Sequence, residues 1–230
     1  MLYKACGQLY PREVRELRTF LLSQDNPICI MMWLMILTGI KLFFRVSELV
    51  KMKVEDLEHS YSPKGKEYDM PARGFNTLTR CQVVHENYDV RTIVVEVHGK
   101  RDIRPVRLAI LCDYDCPEFD LLVHILWYMK LFNIQSGYIF PTPDVLIAQW
   151  KSGCVEPLNA TDHIKYATVL MIIKRLITKV CKRDIFLFTV ATHILRKTAY
   201  LFAVWGYMNQ VTMESYKALA IPCELNVYNF

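Results

Sequence analysis

The chain has 230 residues, 53% of them hydrophobic and 22% charged, which is enough apolar material for a sizeable core in one large domain or two small ones. With 28 Lys and Arg against 23 Asp and Glu, the formal charge of +5 permits nucleic-acid binding without demanding it, so the distribution of charge has to decide. The longest apolar run, Ile28 to Ile40, is too short to span a bilayer, and the N-terminal sequence through Leu17 lacks the apolar segment of a secretory signal, so an intracellular chain with no membrane segment is expected.

In chain order, "PREVRELRTFLL" (Pro11 to Leu22) places Val14, Leu17 and Leu21 at helical spacing with charges between them, and Pro11 suits a first turn. After "SQDNP", the run from Ile28 to Leu37 predicts an inner helix ending near Thr38-Gly39. Helical periodicity returns from Arg45 to Leu57, with Val46, Leu49, Val50 and Val54 on one face and Glu48, Lys51, Lys53, Glu55 and Asp56 on the other. Residues 59–79 carry Pro and Gly punctuation and read as a loop or insertion.

The pattern then changes. A strand near Arg80 to His85, followed by a hairpin of Thr92 to Val97 and Arg104 to Leu111, predicts three antiparallel strands. Beyond them lie helices from Glu118 to Phe132, Ile164 to Lys182 and His193 to Met208, with a proline-marked loop at Tyr138 to Asp144 and shorter pieces after Val211. The acids Asp113, Asp115, Glu118 and Asp120 read as a helix start, since first turns favour acids. No internal repeat or interdomain linker is evident. The expectation is one α+β domain over residues 1–230, mainly α-helical with a small three-stranded antiparallel sheet.

Eight cysteines are scattered without a CxxC pair, and they read as reduced, packed thiols. Cys112 and Cys116 in "CDYDC" have no second pair at zinc spacing to answer them.

The chemistry concentrates in "THILRKTAYLFAVWG" (Thr192 to Gly206). His193 and Arg196 are three residues apart, hence on one helix face, and the positive end of that helix adds to their attraction for a phosphate. A solvated first turn with cations on an exposed edge is the plainer alternative. Arg45 follows the "TG" helix and has Glu48 three residues on, placed to orient its guanidinium. Lys100 sits at the tip of the expected hairpin, and Tyr228 follows Arg196 by a little over thirty residues.

Together these motifs resemble the tyrosine recombinase, or phage-integrase, family. Thr38-Gly39 and "RVSELVKMKVEDL" look like its TG-containing turn followed by Arg-x-Ser-Glu-Leu. "GKRDIRPVRL" looks like its strand-turn-strand lysine, "HILRK" matches His-x-x-Arg-His/Lys, and Tyr228 stands where the family's nucleophile follows that arginine. The wording of "TGIKLFFRVSELVKM" and "HILRKTAYLFAVWG" is most similar to eukaryotic crypton-type recombinases.

The resemblance implies the recombinase catalytic-core fold and site-specific DNA recombination by a mobile element's integrase, through a 3′-phosphotyrosyl intermediate. In that scheme Arg45 and Arg196 bind the phosphate, Lys100 is the general acid, His193 assists proton transfer and Tyr228 attacks. Lys197, Lys217, Arg101 and Arg104 are further phosphate contacts. No metal or cofactor is implied. The partners are double-stranded DNA and sister protomers in a tetrameric synapse, in the nucleus if the host is eukaryotic.

The sequence departs from the family in places. Leu219 stands where a second His or a Trp is usual, with Lys217 as a possible substitute. The stretch from Thr38-Gly39 to Arg45 is longer than the usual Gly-x-Arg, residues 57–91 carry an insertion, and only Asn229 and Phe230 follow Tyr228. The family's N-terminal DNA-clamping domain is expected to be absent from this sequence, because the resemblance starts near Gln8. A DNA-binding remnant without cleavage and a type IB topoisomerase-like activity are the rival readings. Tyr216 is the reserve nucleophile, Tyr200 is expected in the core, and His98 in an exposed turn.

Overall fold

Helix α2 (Pro27–Lys41) is apolar on every side, and such a helix is stable only when other elements surround it. The computed structural model describes residues 7–59, 92–97, 106–111, 119–183 and 194–204, and within these α2 is packed by α1 (Pro11–Ser23), α3 (Val46–Leu49), α4 (Leu121–Leu131), α5 (Pro143–Lys151) and α7 (Ile194–Val204). Asn26 starts α2 by accepting the Ile28 N–H at 2.8 Å, and every residue from Ile30 to Lys41 is buried. Helix α1 buries Val14, Leu17 and Leu21, while Arg12 pairs outward with Glu16 at 2.9 Å.

The Thr38-Gly39 pair does not end α2. The helix runs on to Lys41, closed by Leu42 N–H to the Thr38 carbonyl at 2.9 Å and Phe44 N–H to the Gly39 carbonyl at 3.0 Å. The glycine serves packing instead: a Cβ there would lie 3.0 Å from Leu195 Cβ and overlap Leu195 Cδ1. Its missing side chain is what lets α7 lie close against α2.

The helix expected over 45–57 is also different. Only α3 forms, and the chain then turns aside because tertiary pairing outcompetes local periodicity. The Met52 carbonyl accepts from Ile139 N–H at 3.0 Å, Lys53 bridges to Tyr138, and a 3₁₀ turn at Val54–Asp56 leads into β1 (Leu57–His59). Leu49, Val50, Met52 and Leu57 are buried nonetheless.

Strands β1, β2 (Thr92–Val97) and β3 (Val106–Leu111) form an antiparallel sheet in that order, with Leu57 opposite Val95, and Thr92 and Val97 opposite Leu111 and Val106. The strand pairing with β2 on the side away from β3 is therefore Leu57–His59; the Arg80 to His85 segment expected in that place lies outside the described residues, as does the hairpin tip at 98–105. A second sheet, unforeseen in the sequence, joins β4 (Ile134–Gly137) and β5 (Leu158–Ala160) in parallel. Gly137 has φ +76°, and a Cβ on it would run into the Ala160 carbonyl. Helix α5 begins inside the segment expected as loop, with Pro143 in its first turn.

Asp120 accepts the Val123 N–H at 3.2 Å and so starts α4; Asp113, Asp115 and Glu118 lie outside the described residues. Helix α6 (Tyr166–Lys179) buries Val169, Ile173, Leu176 and Ile177. In α7, Thr198 is buried, donates to the Ile194 carbonyl and accepts the Leu9 N–H, both at 2.9 Å. Arg183 donates to the Gln8 carbonyl at 3.0 Å and to Glu13 at 2.6 Å, so the segment before α1 is held from two sides. Cys29, Cys154 and Cys181 are reduced thiols, and burial together with Glu13 and Glu16 pushes Cys181 up to about 12. The other five cysteines lie outside the described residues. No described helix is long and apolar enough to cross a membrane.

His124 in α4 is buried against the edge of Trp33, with Nδ1 2.6 Å from the Asp120 carbonyl, so that nitrogen carries the proton. Burial lowers its pKa from 6.5 to about 4, against the opposing pull of the Asp120 carbonyl and charge. The unfolded chain thus takes up a proton between about pH 6.5 and pH 4 that the native chain does not. Stability is full above 6.5 and falls through that window by on the order of 3 kcal/mol. His124→Gln is expected to remove this component: the difference between wild-type and variant urea unfolding free energies should change across the window, and a constant difference would refute the assignment. Gly39→Ala is expected to cost about 1–3 kcal/mol in the same assay by forcing α2 and α7 apart.

Candidate phosphate-binding site

The short helix α3 is nucleated by one carboxylate. Glu48, in its first turn, accepts the backbone N–H of Arg45 at 2.8 Å through Oε2, and Arg45 Nη1 donates to Oε1 at 3.2 Å. The same carboxylate reaches across the fold to α7, where Arg196 Nη2 donates to Oε2 at 3.2 Å. Arg196 Nε donates to the backbone carbonyl of Phe43 at 2.8 Å.

Phe43 is held in the left-handed region at φ +56°, unusual for a bulky aromatic and stable only where its surroundings insist on it. Phe43 and Phe44 are both buried, which supplies that insistence. The Phe43 carbonyl on the α2–α3 turn and the Glu48 carboxylate in α3 therefore grip two nitrogens of one guanidinium and fix its plane.

Among the described residues two guanidiniums share one carboxylate, and the three side chains are not sealed: those of Arg45 and Arg196 are 28% and 27% exposed and that of Glu48 is 14% exposed. Planar, permanently charged forks held half-buried match the oxygens of a phosphate, and their fixed geometry means little side-chain freedom is lost on binding.

Lys197 lies half-buried beside Arg196. Tyr200 is 54% exposed, contrary to the core position expected for it. The buried stripe of α7 is Ile194, Leu195, Thr198, Ala199 and Phe202, so residues 196, 197 and 200 fall on the outer face. Lys100, Arg101, Arg104, His193, Tyr216, Lys217, Leu219 and Tyr228 lie outside the described residues. The structure thus brings together Arg45 and Arg196 from the expected set. Sequence reasoning missed the Phe43 carbonyl, a backbone atom that no side-chain pattern announces, and the second role of Glu48.

No protein-family model and no curated protein matches the chain. Among solved structures it is similar to the XerH site-specific recombinase bound to difH substrate in a pre-cleavage complex, with a TM-score of 0.49 and 13% identity, covering 94% of this chain and 48% of that one. It is also similar to XerH bound to palindromic difH substrate in a post-cleavage complex, with a TM-score of 0.49 and 12% identity, covering 91% and 45%. The chain spans slightly less than half the length of the recombinase chains it matches.

Removing the shared carboxylate is expected to weaken both halves of the site. A double-mutant cycle of Glu48→Gln with Arg196→Gln, followed by urea unfolding, should give a coupling of about 1–2 kcal/mol. Millimolar inorganic phosphate should raise the Tm of the wild type and have no effect on Arg45→Gln/Arg196→Gln; equal shifts would argue against a phosphate site.

Proposed function

We propose that the chain is the catalytic core of a DNA strand-transfer enzyme of the tyrosine recombinase type, and the observation that carries this reading is the convergence of Arg45 and Arg196 on the Glu48 carboxylate. Two forks at one point suit a pentacoordinate phosphate, whose negative charge grows on the non-bridging oxygens as the reaction proceeds. The left-handed residue Phe43, two positions before Arg45, adds support. The family's Gly-x-Arg puts a glycine at that spacing, and a left-handed turn is a place where glycine is free. Phe43-Phe44-Arg45 then stands for Gly-x-Arg, while Gly39 serves helix packing.

The Tyr228 hydroxyl attacks the scissile phosphorus. The new bond is a 3′-phosphotyrosine, the bond broken is that to the 5′ oxygen, and Lys100 protonates the leaving oxygen. Arg45 and Arg196 hold the non-bridging oxygens and His193 assists the proton transfer at the attacking oxygen. The reverse attack by a 5′-hydroxyl restores a DNA strand, so the phosphodiester energy is kept and no external energy source enters. Lys197, Lys217, Arg101 and Arg104 contribute phosphate contacts around the scissile bond. The enzyme is read as the integrase of a crypton-type mobile element, working in a nucleus within a tetrameric synapse of sister protomers. Leu219, which cannot donate a hydrogen bond, favours one second reading, a recombinase remnant that binds DNA without cutting it.

The test is trapping of a covalent adduct on nicked suicide duplexes made from the element's own termini. An adduct is expected with the wild type and with Tyr216→Phe, and none with Tyr228→Phe. Arg45→Ala and Arg196→Ala are each expected to slow its formation about 100-fold or more. Binding of those termini with no adduct would support the remnant, and adduct formation with relaxation but no joining to a second duplex would support a topoisomerase.

A further inference from the structure

Helix α6 and the turn that follows it carry a charge anomaly. From Ile164 to Arg183 the sequence holds Lys165, Lys174, Arg175, Lys179, Lys182 and Arg183 and no acid. The formal charge of this one segment is +6 against +5 for the whole chain, so the other residues together are at −1.

Arg183 is engaged by Glu13. The other five are all exposed, and among the described residues none forms an ion pair. An ordinary solvated helix face mixes both signs at i, i+4 spacing, as Arg12 and Glu16 do on α1. The helix macrodipole accounts for cations in the last turn, hence for Lys179 and Lys182, but not for Lys174 and Arg175 a turn earlier.

The geometry makes a stripe. Val169, Ile173, Leu176 and Ile177 face the core, so Met171, Lys174, Arg175 and Thr178 share the opposite face, and Lys182 follows in the turn past the helix end, at φ +53°. Lys174 to Lys179 spans about 7.5 Å at helical rise. Lys179 flanks the stripe with its ammonium over the Phe20 ring, 5.1 Å from the centroid. Among the described residues no carboxylate pairs with Lys174, Arg175, Lys179 or Lys182. The face is built to meet charge density and not a particular shape, which is the character of a phosphate-backbone contact. A membrane surface would ask for a row of exposed large apolar residues, and this face offers only Met171, 45% exposed.

We propose that the outer face of α6 with Lys174, Arg175 and Lys179, together with Lys182 in the turn that follows, is a docking surface for the phosphate backbone of duplex nucleic acid, separate from the Arg45–Arg196 site. It stands on charge and exposure and does not depend on cleavage by Tyr228.

The test uses the full chain and a fluorescent duplex of random sequence, about 30 base pairs long, with affinity followed against salt. Neutralising Lys174, Arg175 and Lys179 to Gln together is expected to lower the log–log salt slope by about 2 to 3 and the affinity at about 150 mM salt by tenfold or more. Urea unfolding should shift by no more than about 1 kcal/mol, because all three side chains are exposed and only Lys179 is described against a ring, that of Phe20. Tyr228→Phe should leave the slope intact, which separates this surface from the cleavage reading. An unchanged slope in the triple variant would overturn the proposal. So would an equal loss from Lys151→Gln, an exposed cation elsewhere, or binding to phosphatidylserine vesicles that is lost in the triple variant while duplex binding is kept.

Discussion

A single carboxylate joins the two ends of the molecule's chemistry. Glu48 closes the first turn of α3 through the Arg45 backbone, grips the Arg45 side chain, and holds Arg196 on a helix 148 residues away in sequence. Each contact alone is an ordinary charge-assisted hydrogen bond. Their sharing of one acceptor group is what makes the arrangement cooperative, since displacing either arginine leaves a partly buried anion with one partner fewer. Local secondary structure and long-range architecture are here stabilised by the same two oxygens.

That carboxylate can work only because α2 and α7 lie close together, and their closeness follows from Gly39. The glycine sits within a helix where it costs helical propensity, about 1 kcal/mol relative to alanine. Its position against Leu195 offsets this by allowing a close approach that any side chain would prevent. Burial of the α2 surroundings, from Trp33 through Phe44, then holds the turn in which Phe43 adopts a left-handed backbone and presents its carbonyl to Arg196. The apolar core is thus the rigid support on which a charged pair is mounted, and Thr198, two residues past Arg196, ties the same helix to the segment before α1.

Some of this was legible in the sequence and some could not have been. Helices α1, α2, α4 and α6 announce themselves through apolar spacing and starting residues, and the partnership of Arg45 with Glu48 follows from their separation along one helical turn. The fate of residues 50–57 was hidden, because their apolar spacing suits a helix equally well and the deciding partner, Ile139, is remote. The parallel pair β4 and β5 is short and carries Gln135, Ser136 and Asn159, so no alternation marks it. Gly39 looked like a helix stop because glycine often is one; its contact with Leu195 exists only in three dimensions. Tyr200 has apolar neighbours in sequence, yet a helical turn places them on the other side. Arg196 could be suspected as a phosphate ligand, whereas the backbone carbonyl that orients it has no sequence signature at all.

Positive charge is used in two physically different ways across the chain. At Arg45 and Arg196 the guanidiniums are few, half-buried and fixed by hydrogen bonds to one shared carboxylate, so their orientation is set by the fold. On the outer face of α6 the cations are exposed lysines and an arginine on flexible stems with no acid among them, so charge density is high and orientation is free. The first arrangement discriminates by geometry and changes little with salt, because partial burial limits screening; the second acts over a Debye length and weakens as salt rises. A chain whose net charge is only +5 can therefore present a concentrated cationic surface, because residues 164–183 together carry +6 while the remainder is nearly neutral. Segregation of charge, and not its total, decides what such a surface attracts.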